Sequence, residues 1–229
     1  NYGTGWFEPF NHYRISFNTI FVLDPFYTIA LLISFIALLI LRFNAPSRKY
    51  FVYGGLIMSS CYLLFTFFNK RIIDTHFRKT LDANQVAGND FITTPTPLNN
   101  LLWYNLAKSN DGFFIGYRSI CDTKPITEIT FVPRNDSLLG DLKNDPGVKK
   151  LIRLSQDYYC ITKSDSGGTN FHDMRFGQIG GWVNPQAAFV FTYHIEENDN
   201  NRASINQGRF EAATGEAFKS LIERIKGID

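Results

Sequence analysis

The sequence predicts a membrane α-helical hairpin followed by an α+β domain with an antiparallel sheet. Three observations carry this. Two uncharged apolar runs, residues 25–41 and 50–68, are separated by a short linker that contains Arg42, Arg48 and Lys49. From about Leu98 onward the apolar pattern changes to period two, the period of strands with one buried face. The chain closes on an amphipathic stretch, RFEAATGEAFKSLIERIKG, with helical spacing.

The first run, PFYTIALLISFIALLIL, is 17 residues long, and the second, YFVYGGLIMSSCYLLFTFF, is 19. A helix needs roughly 20 residues to cross the hydrocarbon core. Flanking Tyr, Phe and Arg residues suit the interface, so the predicted spans are 25–42 and 50–69 within a membrane region of residues 1–94. A buried hairpin in a soluble core is the competing reading, and two neighbouring uncharged runs argue against it. Gly54, Gly55, Ser59 and Ser60 are small enough to let the helices approach closely. Asp24 before Pro25 reads as a helix N-cap with proline at the first helical position. NKRIIDTHFRKTLDANQ continues the second helix beyond the membrane, with Ile72, Ile73, Phe77 and Leu81 at helical spacing. The prolines of ITTPTPLNN end it. Lys70, Arg71, Arg78 and Lys79 after the second span lean the downstream domain toward the cytoplasm.

Residues 95–229 form the predicted soluble α+β domain. LLWYNLAK, GFFIGYRSI, ITEITFV, DYYCITK and AAFVFTYHIEE read as strands between polar turns such as SNDG, SDSGG and NDNN. In FVFTYHI, residues Phe189, Phe191, Tyr193 and Ile195 share one face. A helix interrupts the strands near SLLGDLKNDPGVKKLIRLS. The C-terminal helix carries an apolar stripe of Phe210, Ala217, Phe218, Leu221, Ile222 and Ile225, and should pack on the sheet.

The bulk figures exclude some functions. Net charge is +2, with a pI near 8.4, and no basic stripe marks a nucleic-acid partner. Mean hydropathy is −0.12, an average that hides the two apolar runs. Cys61, Cys121 and Cys160 include no C-x-x-C pair, so neither a disulfide framework nor a zinc ribbon is predicted; a single Cys121–Cys160 bridge is left open.

Few residues suggest chemistry. His12, His76, His172 and His194 form no metal-binding spacing. In NFHDMRFGQIGGW, Asp173 and Arg175 share a strand face while His172 points away; such a pair is more often structural than catalytic. GYRSICDTK gathers Arg118, Ser119, Cys121 and Asp122, without an identifiable base to activate a nucleophile. Asp24 at membrane depth is a site candidate besides a cap, with Arg14 and His12 as partners.

Several phrases resemble the YdjM-like family of membrane-bound, metal-dependent hydrolases, in the longer form found in Bacteroidetes and proteobacteria. NYGTGWFEPFNHYRISFNTIFVLDPFYT matches the family at Tyr2, Gly3, Thr4, Phe7, Pro9, Phe10, Arg14, Ile20, Phe21, Asp24, Pro25, Tyr27 and Thr28, and departs from it at Gly5 and Trp6. PTPLNNLLW, the GYRSICD region and DMRFGQIGGW also resemble it. The resemblance implies that the chain is the C-terminal portion of an inner-membrane hydrolase whose divalent-metal ligands lie upstream of Asn1. There His and Asp would hold an ion that lowers the pKa of a bound water for attack on an ester or phosphoester. The two spans make the lipid bilayer a partner, and a site at the membrane edge suggests an amphiphilic, lipid-like substrate; under the hydrolase reading Arg14, Asp24, Asp173 and Arg175 are candidates to contact substrate or support the metal site. No metal ligand is expected in this chain. The alternative is a non-catalytic, membrane-anchored module that binds a ligand or partner.

Overall fold

The computed structural model describes residues 3–11, 14–86, 90–164, 167–197, 203–207 and 215–227. Helix α1 covers Pro25–Ile40. Asp24 caps it, accepting hydrogen bonds from the amides of Phe26 at 3.0 Å and Tyr27 at 3.2 Å, with Pro25 at the first helical position, as the Asp-Pro pair predicts. The helix stops before Arg42. Leu41 is already extended. Helix α2 then runs unbroken over Arg48–Ala83.

Contacts at both ends hold α1 against α2. Arg48 Nη1 donates to the carbonyls of Leu38 at 2.6 Å and Leu41 at 2.9 Å, satisfying groups that a helix C-terminus leaves open. At the other end Tyr62 Oη donates to Asp24 Oδ2 at 2.8 Å. Between them Gly55 sits against Ser34 so closely that a Cβ would overlap the serine hydroxyl. Of the four small residues, Gly55 and Ser59 face the contact and are buried, while Gly54 and Ser60 are not.

The two helices differ from the expected pair of spans. Among the described residues, α2 is the one helix long and apolar enough to cross a bilayer. With 16 residues, α1 rises about 24 Å, short of a hydrocarbon core of about 30 Å.

The rest of the described chain is α+β. Strands β1 (Phe91–Pro95), β2 (Leu102–Lys108), β3 (Gly112–Ser119) and β4 (Ile129–Pro133) form one antiparallel sheet in that order. A 3-10 segment, Asp136–Asn144, and helix α3, Pro146–Leu154, lead into a second antiparallel sheet. It contains β5 (Tyr159–Lys163), β6 (Thr169–Gln178), β7 (Phe189–Glu197) and β8 (Ala203–Gln207), again in sequence order. Helix α4 covers Gly215–Ile225.

Three apolar clusters stack these elements into four layers. Phe77 and Leu81, from the second half of α2, meet Ala107, Phe91 and Phe114 on one face of the first sheet. Tyr104, Leu106, Phe113 and Ile115 on its other face meet Tyr158, Cys160 and Met174 of the second sheet. The far face of the second sheet, with Tyr159, Ile161, Phe171 and Ile195, is covered by Leu139, Val148 and Leu151. β2 is therefore buried along nearly its whole length, because both its faces are covered.

Several details depart from the sequence reading. Two sheets replace the expected one, since period two reports a half-buried strand and not which sheet it joins. FITTP forms β1, where Pro95 ends an edge strand, a position that needs no donor. β6, read from the sequence only through the shared strand face of Asp173 and Arg175, runs over Thr169–Gln178, and β8 is a further strand that the polar composition concealed. The 70–83 extension of α2 forms as predicted, and its inner face is core. Helix α4 buries Leu221 but leaves Phe218 and Ile222 exposed, so its stripe is only partly used. Phe210, from the same predicted stripe, and the NDNN turn lie outside the described residues. All three cysteines are free; Cys160 is buried, while Cys61 and Cys121 are exposed, which closes the question of a Cys121–Cys160 bridge.

Candidate functional site

The residues singled out from the sequence do not converge. Asp24 is 2% exposed, and its carboxylate is used by the α1 amides and Tyr62. Arg14 is exposed, and its carbonyl accepts a bond from Gln156 Nε2 at 3.2 Å. No hydrogen bond joins Asp24 to Arg14; His12 lies outside the described residues. Asp173 and Arg175 are partners within β6. Nε and Nη2 of the arginine donate to the two carboxylate oxygens at 3.0 and 2.7 Å, the bidentate fork that favours Arg over Lys. Both side chains are almost fully buried.

The described residues also do not fit a metal ion. No group of three or more His, Cys, Asp or Glu side chains converges among them. The His172 ring lies between the Thr162 and Thr192 hydroxyls at 2.8 and 2.9 Å, and burial holds its pKa down to about 4. His194 meets Asn170 and Glu196. Burial likewise pushes the Cys160 thiol up to about 12, far from a thiolate nucleophile at neutral pH.

A different place gathers functional groups. β4 pairs with β3 only from Gly112 to Gly116. Beyond that point the edge of β3 is free of a neighbouring strand, and a cleft of about 180 Å³ opens there, bounded by the 126–128 segment, the 181–185 loop and Arg224 of α4. Arg118 lines it and is only 4% exposed. Its Nη1 donates to the Lys124 carbonyl at 3.0 Å and Thr127 Oγ1 at 3.3 Å. Its Nε and Nη2 make no hydrogen bond among the described residues.

The nearby carboxylate is committed elsewhere. Asp122 receives Arg224 Nη1 at 2.7 Å and Nη2 at 2.8 Å, and Arg224 Nη2 also reaches the Tyr117 carbonyl. Burial lowers the pKa of Arg118; Asp122 opposes this and Arg224 adds to it. The lining also includes Tyr117 and Trp182, edge to face at 6.2 Å. Trp182 is held by its Nε1–H on Ser220 Oγ at 3.1 Å. Gln178 donates through Nε2 to the Pro185 and Ala187 carbonyls, which pins the 181–185 loop against β6. Gly181 fits there because any Cβ would collide with the Tyr117 hydroxyl.

Sequence reasoning reached half of this site. GYRSICDTK contains Arg118 and Asp122, and Ser119 and Cys121 prove to be part of a turn: Ser119 Oγ accepts from the Cys121 amide and donates to the Ile225 carbonyl. Arg224, Trp182 and Gln178 were not foreseen. Arg224 lies 102 positions from Asp122, a separation for which sequence spacing carries no signal.

Comparison with known proteins finds no matching family model, no matching curated protein and no matching solved structure.

Proposed function

We propose that this chain is a membrane-anchored module: α1 and the first half of α2 lie in a lipid bilayer, and the four-layer α+β domain binds a small ligand in the cleft at Arg118. The exposed apolar surface of the helix pair carries the reading. α1 has no buried residue, and Phe26, Ile33, Phe35, Leu39 and Ile40 are all more than half exposed. Along α2 the same holds for Tyr53, Leu56, Ile57, Met58, Leu64 and Phe68. Monomeric soluble proteins rarely leave contiguous apolar patches beyond a few hundred Å² in water; hydrocarbon removes the penalty. Below α1 the neighbouring Phe17, Val22 and Leu23 extend this surface. The positive charges after residue 69 favour a cytoplasmic domain.

Cysteine labelling in native membranes tests this. A charged, impermeant maleimide should modify Cys121, leave Cys61 untouched within the bilayer, and leave Cys160 untouched in the core. Cys121 should become reactive only when the inner face of the membrane is opened. Equal labelling of Cys61 and Cys121 once the inner face is opened would remove the membrane reading.

The resemblance to the YdjM-like proteins supports a second reading, in which this chain is the C-terminal portion of an inner-membrane, metal-dependent hydrolase with an amphiphilic substrate. The order of the matching phrases favours it, as does a carboxylate, Asp24, held at the start of α1. The described residues supply no metal site, so their part would be to bind and orient substrate. Metal analysis of the protein encoded by the complete gene tests it: a stoichiometric divalent ion is expected, and its absence would leave the binding module alone.

A further inference from the structure

We infer that the Arg118 cleft binds a small organic oxyanion, a carboxylate or phosphate monoester joined to an apolar group. This rests on the reading of the cleft as a ligand site and adds the chemical class.

Arg118 leaves part of its hydrogen-bonding capacity unused. A buried guanidinium is costly unless its N–H groups and its charge are matched. Arg118 spends Nη1 on a carbonyl and a hydroxyl, and neither carries charge. Nε and Nη2 remain, and they form the side of the guanidinium fork that accepts two oxygens of a planar carboxylate or a phosphate. Asp122 is the protein carboxylate that could serve, but it is already doubly bonded to Arg224. Two arginines thus share one carboxylate at the cleft. At the rim Lys124 and Glu128 lie 3.8 Å apart, with the glutamate 91% exposed, so that pair is screened by solvent and leaves the interior balance at a net positive charge.

The remaining walls restrict the ligand. Trp182, Val183 and Ile126 also line the cleft, and this apolar lining disfavours a bare, fully hydrated ion. The volume of about 180 Å³ lies below the range of drug-sized pockets, so the ligand is small, or is the terminal part of something larger such as a lipid headgroup. The position suits either source, because Trp103, the register partner of Arg118 on β2, hydrogen-bonds the carbonyl of Asn100, and Asn100 is tied to Asn69 at the predicted end of the second span.

The test is calorimetric titration of the full chain in neutral detergent with inorganic phosphate, glycerol 3-phosphate, benzoate and uncharged benzamide, followed by nanodiscs containing phosphatidic acid. Saturable binding of benzoate or glycerol 3-phosphate, with benzamide at least tenfold weaker, is expected. Arg118→Gln should weaken the anions at least tenfold and leave benzamide unchanged. Val183→Asp, a rim position 67% exposed, should weaken anions without disturbing the fold, and serves alone if Arg118→Gln does not fold. Loss of glycerol 3-phosphate binding in phosphatidic acid nanodiscs, but not in neutral ones, would assign the site to a headgroup; retention would assign it to a free metabolite. Benzamide binding as well as benzoate would overturn the oxyanion class and keep the ligand site. No binding by any probe would overturn both.

Discussion

Tyr62 Oη donates to Asp24 Oδ2 across the α1–α2 contact at 2.8 Å, while the other oxygen of the same carboxylate caps α1. One side chain therefore starts a helix and fastens it to its neighbour. Losing an N-cap costs about 1 kcal/mol, and an interhelical hydrogen bond in a membrane contributes about 0.6–2 kcal/mol. Asp24→Ala should cost about 2 kcal/mol in detergent unfolding. Tyr62→Phe should cost about 1 kcal/mol, and Asp24→Asn less than the alanine variant, because Asn also caps. Tyr62→Phe should have almost no effect in the Asp24→Ala background; an undiminished loss there would show that the two residues act independently.

Adjacent glycines in α2 should behave oppositely. A Cβ on Gly55 would overlap Ser34, whereas one on Gly54 meets nothing within 4 Å. Gly54→Ala should stabilise the helix by a few tenths to about 1 kcal/mol through helix propensity. Gly55→Ala must push α1 and α2 apart, at a cost of about 1–3 kcal/mol for overpacking. Crosslinking of a cysteine pair placed across the helix contact, measured in both variants, reads this directly: unchanged yield in Gly55→Ala would show that the contact is not tight.

This contrast marks how far the sequence could be read. The apolar runs, the Asp24-Pro25 start and the 70–83 extension were legible, because each depends on neighbours within one or two helical turns. Which glycine of the pair faces α1 depends on helix phase, which a run apolar on every side conceals. The extent and burial of β6 were hidden for a related reason: Asp173 and Arg175 neutralise one another inside the core, so a buried strand has the composition of a surface turn. The cleft needed Arg224 beside Asp122, a contact made only when α4 closes on the end of β3.

The same buried pair gives a third prediction. Removing one member strands the other's charge, at about 3–5 kcal/mol, whereas replacing both with apolar groups of similar volume is often neutral. Arg175→Met should therefore destabilise strongly, and adding Asp173→Leu should restore most of the loss. The guanidinium also sits 5.5 Å from the Phe176 ring centroid, a contact that Met partly retains. Thermal unfolding of the two single variants and the double variant checks this. A double variant no more stable than Arg175→Met would mean that the pair has partners beyond β6 that need its charge.

His172 sets a pH dependence. Burial holds its pKa to about 4 in the folded chain, against about 6.5 when unfolded. The unfolded state therefore binds the proton more tightly, and protonation favours unfolding. Stability from this residue is complete above pH 6.5 and falls as pH drops toward 4, by about 1.4 kcal/mol per pH unit at the steepest and about 3 kcal/mol in all. The hydroxyls of Thr162 and Thr192 suit this neutral ring, since one can donate while the other accepts. His172→Gln keeps a polar, uncharged group there. It should lower stability at pH 7 and be less sensitive to pH between 6.5 and 4.5 than the parent chain, as read by urea unfolding at several pH values in that window. Carboxylates titrate alike in both proteins, so the difference between the two curves isolates His172. Parallel curves would show that the ring is charged in the folded chain or already neutral in the unfolded one.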